Sequence, residues 1–180
     1  MRYLAYGSNM LTQRLRARVS SASNPTRIAL HGYQLRFNKR SDDCSGKCNI
    51  LETGLASDVV HGVLYDVDKA QLPLLDEAEG CGHGYHRDDK VPVRIPGSDT
   101  LIVTVYAADS NAVDDALIPY RWYWDLVIAG AEQHQLPQDY IAGIRAVPYT
   151  ADPMPNRKSK REAETVLKEF ALCISKDLPA

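Results

Sequence analysis

Two short stretches of this 180-residue chain carry the side chains that could do chemistry. In the first, an apolar and aromatic run, Tyr3-Leu4-Ala5-Tyr6, leads into Gly7-Ser8-Asn9 and then a helical pattern from Met10 to Arg18, with Leu11 and Leu15 four apart. Gly7 lets the backbone turn, and Ser8 or Asn9 can cap the helix. A helix that starts straight from such a turn aims free N–H groups above the end of a strand, a setting that favours a carboxylate. An ordinary capped strand-to-helix turn explains the same residues without a ligand.

The second stretch is Leu75-Asp76-Glu77-Ala78-Glu79-Gly80. Upstream, Asp68 caps a helix, Gln71 takes its third position, and Val67 with Leu72 makes a hydrophobic staple. That register puts Leu72, Leu75 and Glu79 on one stripe, Asp76 at its margin and Glu77 on the far side. Gly80 is the left-handed terminator, so Glu79 lies in the last turn and points inward. Burial, the helix dipole and Asp76 are each expected to raise the Glu79 pKa towards that of a base working near neutral pH. The alternative is a partly exposed last-turn residue in an acidic run.

The elements around these stretches read as follows. After a polar loop from Ser20 to Pro25, Tyr33, Leu35 and Phe37 alternate as a strand, and Lys39 to Cys48 is a loop. Asn49 to Ala56 and Val59 to Val67 are strands. Val91, Val93 and Ile95 face Leu101, Val103 and Val105 across a turn at Pro96-Gly97-Ser98-Asp99, with Tyr85 at the start of this hairpin. Pro119 opens a helix holding Tyr120, Tyr123, Trp124, Val127 and Ala131, and a short helix runs through Tyr140 and Ile144. After Pro148, Pro153 and Pro155, the tail from Asn156 to Lys176 is helical, with Ala163, Val166, Leu167, Phe170, Ala171 and Ile174 on one face. The pattern predicts an α+β fold: a small, mixed, mostly antiparallel β-barrel with helices packed outside. Residues 1–150 would form the catalytic domain, and 151–180 a linker and helix that packs on the body or on a second copy, making a homodimer.

A net charge of −2, with 44% apolar and 24% charged residues, gives no general attraction to nucleic acid or a membrane, and no apolar run is long enough to span a bilayer. The first residues lack a signal-peptide core, so the expected location is cytoplasmic, with Cys44, Cys48, Cys81 and Cys173 as thiols. Cys44-x3-Cys48 with Cys81, His83 and His86 offers metal-capable groups at a spacing looser than structural zinc sites use. His83 and His86 beside a turn read as surface residues.

Tyr3-Leu4-Ala5-Tyr6-Gly7-Ser8-Asn9-Met10 and Leu75-Asp76-Glu77-Ala78-Glu79-Gly80 together resemble the signature pair of the γ-glutamylcyclotransferase family. The likeness extends to Phe37-Asn38-Lys39-Arg40-Ser41, Ser45-Gly46-Lys47-Cys48-Asn49-Ile50, Gly62-Val63-Leu64-Tyr65 and Gly84-Tyr85-His86-Arg87. The resemblance implies a small barrel with a cavity at one end and an enzyme that cyclises a γ-glutamyl amino acid or amine to 5-oxoproline without metal or organic cofactor. It makes Glu79 the catalytic acid/base, Tyr3 to Ser8 the substrate-binding loop, with Asn9 continuing it, and Tyr120 a substrate contact; Tyr85 and Tyr106 fall near the cavity. Asp42-Asp43-Cys44 stands where relatives are expected to have a small, glycine-bearing loop. The rival reading is a non-catalytic module of the same fold that binds a small carboxylate.

Overall fold

The computed structural model describes residues 1–94 and 99–177. In chain order the elements are β1 (Arg2–Ala5), α1 (Thr12–Arg18), β2 (Ser23–His31), β3 (Tyr33–Arg40), β4 (Gly46–Glu52), β5 (Val59–Asp66), α2 (Leu72–Glu79), β6 (Tyr85–Val93), β7 (Leu101–Ala108), α3 (Arg121–Gln133), α4 (Gln138–Arg145) and α5 (Lys158–Asp177). The expectations placed on Ile95, on the turn at Pro96, Gly97 and Ser98, and on the Ile174 side chain lie outside the described residues.

β1 is the middle of a five-stranded sheet ordered β2-β5-β1-β7-β6. It runs antiparallel to β5, with Tyr3 opposite Tyr65, and parallel to β7, with Tyr3 opposite Thr104. A central strand covered on both faces reads as continuous apolar sequence, which is why Tyr3, Leu4 and Ala5 are all buried. The fold is the expected α+β arrangement, but the sheet does not close into a barrel: β3 and β4 pair with each other as a separate ribbon. The reason lies in β4, where side chains take the hydrogen bonds that closure would need. Cys48 N–H donates to the Tyr123 hydroxyl (3.0 Å), Cys48 O accepts from the Tyr85 hydroxyl, and Asn49 Oδ1 accepts from Ala108 N–H (2.9 Å). With those groups satisfied, no ladder joins β4 to β6 or β7 among the described residues, and a gap is left between ribbon and sheet.

Several boundaries differ from the sequence reading, among them the start of α2, which follows a 3-10 turn at Lys69–Gln71. The helix expected from Met10 starts at Thr12, because Ser8–Met10 forms a separate 3-10 turn and Leu11 is extended. β2 begins at Ser23 inside the expected loop; a bulge between Ser23 and Thr26 accommodates Pro25 on this edge strand. β4 begins at Gly46, so the expected loop at Lys39–Cys48 contracts to a turn. Elsewhere α3 buries Trp122, Tyr123, Leu126 and Val127 and packs on the 3-10 turn. α5 packs against α3 and α1, burying Ala163, Val166 and Phe170.

Candidate active site

The gap beside β4 is the site. Tyr3 and Tyr6 from β1 and its end, Gly7, Ser8 and Asn9 from the turn, Cys48 from β4, Glu79 from the end of α2, Tyr85 from β6, Tyr106 from β7 and Tyr123 from α3 line a cavity of about 30 Å³. Its hydroxyls are anchored: Tyr6 donates to Tyr106 O, Tyr85 to Cys48 O, and Tyr106 to Asp76 Oδ1 at 2.7 Å. Burial, more than any neighbouring charge, pushes the Tyr3, Tyr6, Tyr85 and Tyr123 phenols well above their usual range and the Cys48 thiol up to about 12. These groups stay protonated, and Cys48 is not a thiolate nucleophile at neutral pH.

Glu79 closes α2, which ends as expected in a left-handed Gly80 (φ 68°, ψ 41°). Asp68 caps the preceding 3-10 turn by accepting from Ala70 N–H at 2.9 Å. Glu79 Oε1 accepts from the Tyr3 hydroxyl at 3.1 Å and from Asn9 Nδ2, and Arg18 Nη1 stands 3.7 Å away. Arg18 also donates to Asn9 Oδ1 (2.9 Å), so Arg18 holds the amide that holds the carboxylate. The neighbouring acids are otherwise engaged. Asp76 pairs with Arg87 and accepts from Tyr106, and Glu77 is exposed. Glu79 thus meets hydrogen-bond donors and a compensated Asp76, where the sequence reading names burial, the helix dipole and the nearby Asp76.

The turn works differently from expectation. Gly7, at φ −120° and ψ −142°, makes the turn, and glycine is needed there for space as well. A Cβ there would lie 2.9 Å from Cys48 Cβ and 3.2 Å from the Tyr123 hydroxyl; glycine lets β4 and α3 approach the turn. Neither Ser8 nor Asn9 caps α1. Asn9 serves Glu79, Ser8 Oγ accepts from Arg14 Nε at 3.1 Å, and the Thr12 N–H is taken by Gln133 Oε1 at 2.8 Å. The expected anion site at the helix start therefore becomes a 3-10 turn at the cavity wall.

The cavity opens at Ser8, Glu79, Tyr85 and Tyr123 into an outer vestibule of about 200 Å³. Arg14, Arg18, Lys39, Ser41, Asp43, Lys47, Trp122 and Ser159 complete it. Asp43 is an organising residue: it pairs with Lys47 at 2.7 Å and accepts from Ser45 N–H and Oγ. Lys47 Nζ lies 4.7 Å from the Trp122 ring centre and 4.9 Å from that of Tyr123.

Of the residues singled out from sequence, Tyr3, Tyr6, Gly7, Ser8, Asn9, Glu79, Tyr85 and Tyr106 meet at the cavity. Leu4 and Ala5 are buried in the core beneath it, and the Tyr120 hydroxyl donates to Asp43 O at 3.0 Å, one step behind the vestibule wall. His86 pairs with Asp109 at the surface. Among the described residues no group of three or more His, Cys, Asp or Glu is arranged to hold a metal ion. Sequence reasoning passed over Cys48, Tyr123, Arg14 and Lys39. A hydroxyl in the apolar stripe of α3 was the available signal for Tyr123, since a buried phenol needs a partner.

Fold and site define the class: an α+β protein with one carboxylate at a helix end, facing a phenol-lined cleft suited to acid–base chemistry on a small molecule. The comparisons narrow this. The model of the AIG2-like family matches residues 59–144. The chain is 27% identical over 175 residues to the gamma-glutamylcyclotransferase of Homo sapiens, covering 93% of this chain and 87% of that protein. It is 27% identical over 150 residues to the Mus musculus protein of the same name, covering 81% and 77%. A solved gamma-glutamyl cyclotransferase superposes with a TM-score of 0.80 at 25% identity, covering 94% of this chain and 98% of that one. In sequence and fold the chain is similar to γ-glutamylcyclotransferases.

Proposed function

We propose that this protein is a γ-glutamylcyclotransferase that closes the γ-glutamyl group of an amino acid or amine conjugate into 5-oxoproline and frees the attached amino acid or amine. The observation that carries this reading is Glu79, the one carboxylate lining the cavity among the described residues, held by Tyr3, Asn9 and Arg18.

In the reaction the substrate's α-amine attacks its own γ-carbonyl carbon. A carbon–nitrogen bond forms, and the bond to the leaving nitrogen breaks. Glu79 takes the proton from the α-ammonium and returns it to the leaving nitrogen. Because the nucleophile is tethered, holding the substrate in a near-attack shape supplies on the order of 7–11 kcal/mol. Donors of the Gly7-Ser8-Asn9 turn face the α-carboxylate or the developing oxyanion. Tyr3, Tyr6 and Tyr85 form the walls of the substrate site, Leu4 and Ala5 support it from the core, and Tyr120 acts on it through Asp43.

We assign catalysis to residues 1–150 and a covering role to residues 151–180. The four free thiols support a cytoplasmic setting, with a small-molecule substrate and neither nucleic acid nor membrane as partner. No described helix is long and apolar enough to cross a membrane. The exposed Leu172 on α5 is where a homodimer would form, and light scattering on a sizing column tests it.

The decisive experiment is 5-oxoproline release from a panel of γ-glutamyl amino acids and γ-glutamyl amines by the wild type and Glu79→Gln. Turnover that collapses in a folded variant supports the assignment. Equal ligand binding by both proteins, without release, would replace it with a binding module.

A further inference from the structure

The vestibule is more basic than cyclisation requires. Arg14 and Arg18 from α1, Lys39 from β3 and Lys47 from β4 face it, against Asp43 and Glu79. Two of these cations are committed, Lys47 to Asp43 and Arg18 to Asn9 and Glu79. Arg14 and Lys39 form no ion pair among the described residues. Arg14 is 9% exposed, and its Nε donates to Ser8 Oγ. Lys39 is 6% exposed; its Nζ sits 4.7 Å from the Tyr85 ring centre and reaches only His83 O, at 3.4 Å. Burial depresses both cations' pKa values, the direction expected where a charge has lost water without gaining a counter-ion. A buried cation that lacks a partner is costly unless an anion completes it.

The inference rests on the cyclotransferase reading. If the reacting atoms lie at Glu79, on the rim shared by the two spaces, the leaving half of the substrate extends outward past Arg14 and Lys39. We propose that Lys39 and Arg14 determine specificity by binding a carboxylate on the leaving half, so that conjugates with an anionic leaving group are preferred over neutral or cationic γ-glutamyl amines. The same carboxylate chemistry exists on the glutamyl half, and the test separates the two.

The test compares kcat/KM for γ-glutamylalanine and γ-glutamylalaninamide, identical except for the terminal charge, in the wild type, Lys39→Met and Lys39→Arg. The expected wild-type preference for the carboxylate is about tenfold, the scale of one charge-assisted contact at a wet site. Lys39→Met moves the ratio towards one, mainly through KM, and Lys39→Arg restores it. Arg14→Gln acts in the same direction, with circular dichroism as the fold check because Arg14 also holds Ser8. Equal wild-type turnover of both substrates overturns the proposal. So does a Lys39→Met variant that weakens both alike, the outcome expected if Lys39 holds the glutamyl α-carboxylate or merely supports the fold. Release of 5-oxoproline from neither substrate is a different result: it removes the cyclotransferase reading and this inference with it.

Discussion

The inner cavity and the vestibule meet at the same residues but are built from opposite materials. Inside, Tyr6 and Tyr85 donate to backbone carbonyls and Tyr123 accepts from a backbone N–H, so the walls are neutral and positioned by main chain. Outside, the walls are charged: Lys47 and Asp43 hold each other, Arg18 is held by Asn9 and Glu79, and Arg14 and Lys39 rest on neutral groups. Neutral, anchored walls leave Glu79 as the group that can exchange a proton with a substrate, whereas a charged wall can read the substrate's own charge. On the proposed reading, acid–base chemistry lies inside and selection outside, with Glu79 lining both spaces.

This comparison can be broken most forcefully at Glu79. Glu79→Gln keeps the shape and removes the base, and 5-oxoproline release is expected to fall by roughly 10²–10⁴, the usual contribution of a positioned acid–base group. A smaller loss, measured as kcat on a folded variant, would move proton transfer elsewhere. Next comes the outer wall. Lys47→Met leaves Asp43 without its ion-pair partner, with both side chains no more than 12% exposed. Breaking a buried pair costs about 3 kcal/mol or more, readable as a lower urea midpoint. An unchanged midpoint would mean that the outer wall is not held by charge.

Gly7→Ala probes the join between the two regions. The added Cβ meets Cys48 Cβ at 2.9 Å, and overpacking there is expected to cost about 1–3 kcal/mol and to lower activity as β4 is pushed from the turn. Thermal unfolding and 5-oxoproline release check both halves. The smallest effect is expected at Asp152, just ahead of α5, whose Ser159 lines the vestibule. Burial alone would raise the Asp152 pKa, but bonds from Arg157, Met154 N–H and Trp122 Nε1 outweigh it and hold the carboxyl at about 2. A depressed carboxylate contributes stability fully above its unfolded value near 3.9, and that contribution is lost as pH falls through the folded value of about 2. Urea midpoints from about pH 5 down to about pH 2 should therefore decline more steeply for the wild type than for Asp152→Asn. Parallel curves would mean that the clamp adds nothing to stability.

Much of this arrangement was legible in the chain. The α2 register follows from Asp68, the leucine spacing and Gly80, because a cap, a 3.6-residue period and a left-handed residue act locally. β1 is recognisable because a central strand is apolar throughout. The Tyr3–Asn9 and Leu75–Gly80 stretches pointed to one cavity through their resemblance to a family. A second reason for Gly7 was not legible, since close approach to Cys48 is a property of a neighbour some forty residues away in sequence. The pairing of Asp76 with Arg87 was not legible, because Arg87 reaches it from another element. Tyr123 looked like packing because the partner of its hydroxyl, the Cys48 N–H, belongs to β4.

The sequence alone determined local matters: most of the strands and helices, where α2 ends, and that Glu79 turns inward from it. Only the tertiary structure decided that β4 satisfies its backbone through Tyr85 and Tyr123 instead of through a ladder. That choice leaves the sheet open and creates the cavity. It also decided which cations are paired and which are left facing the vestibule. Periodicity and caps are written into neighbouring residues, whereas hydrogen-bond partners and counter-charges come from segments that meet only when the chain folds.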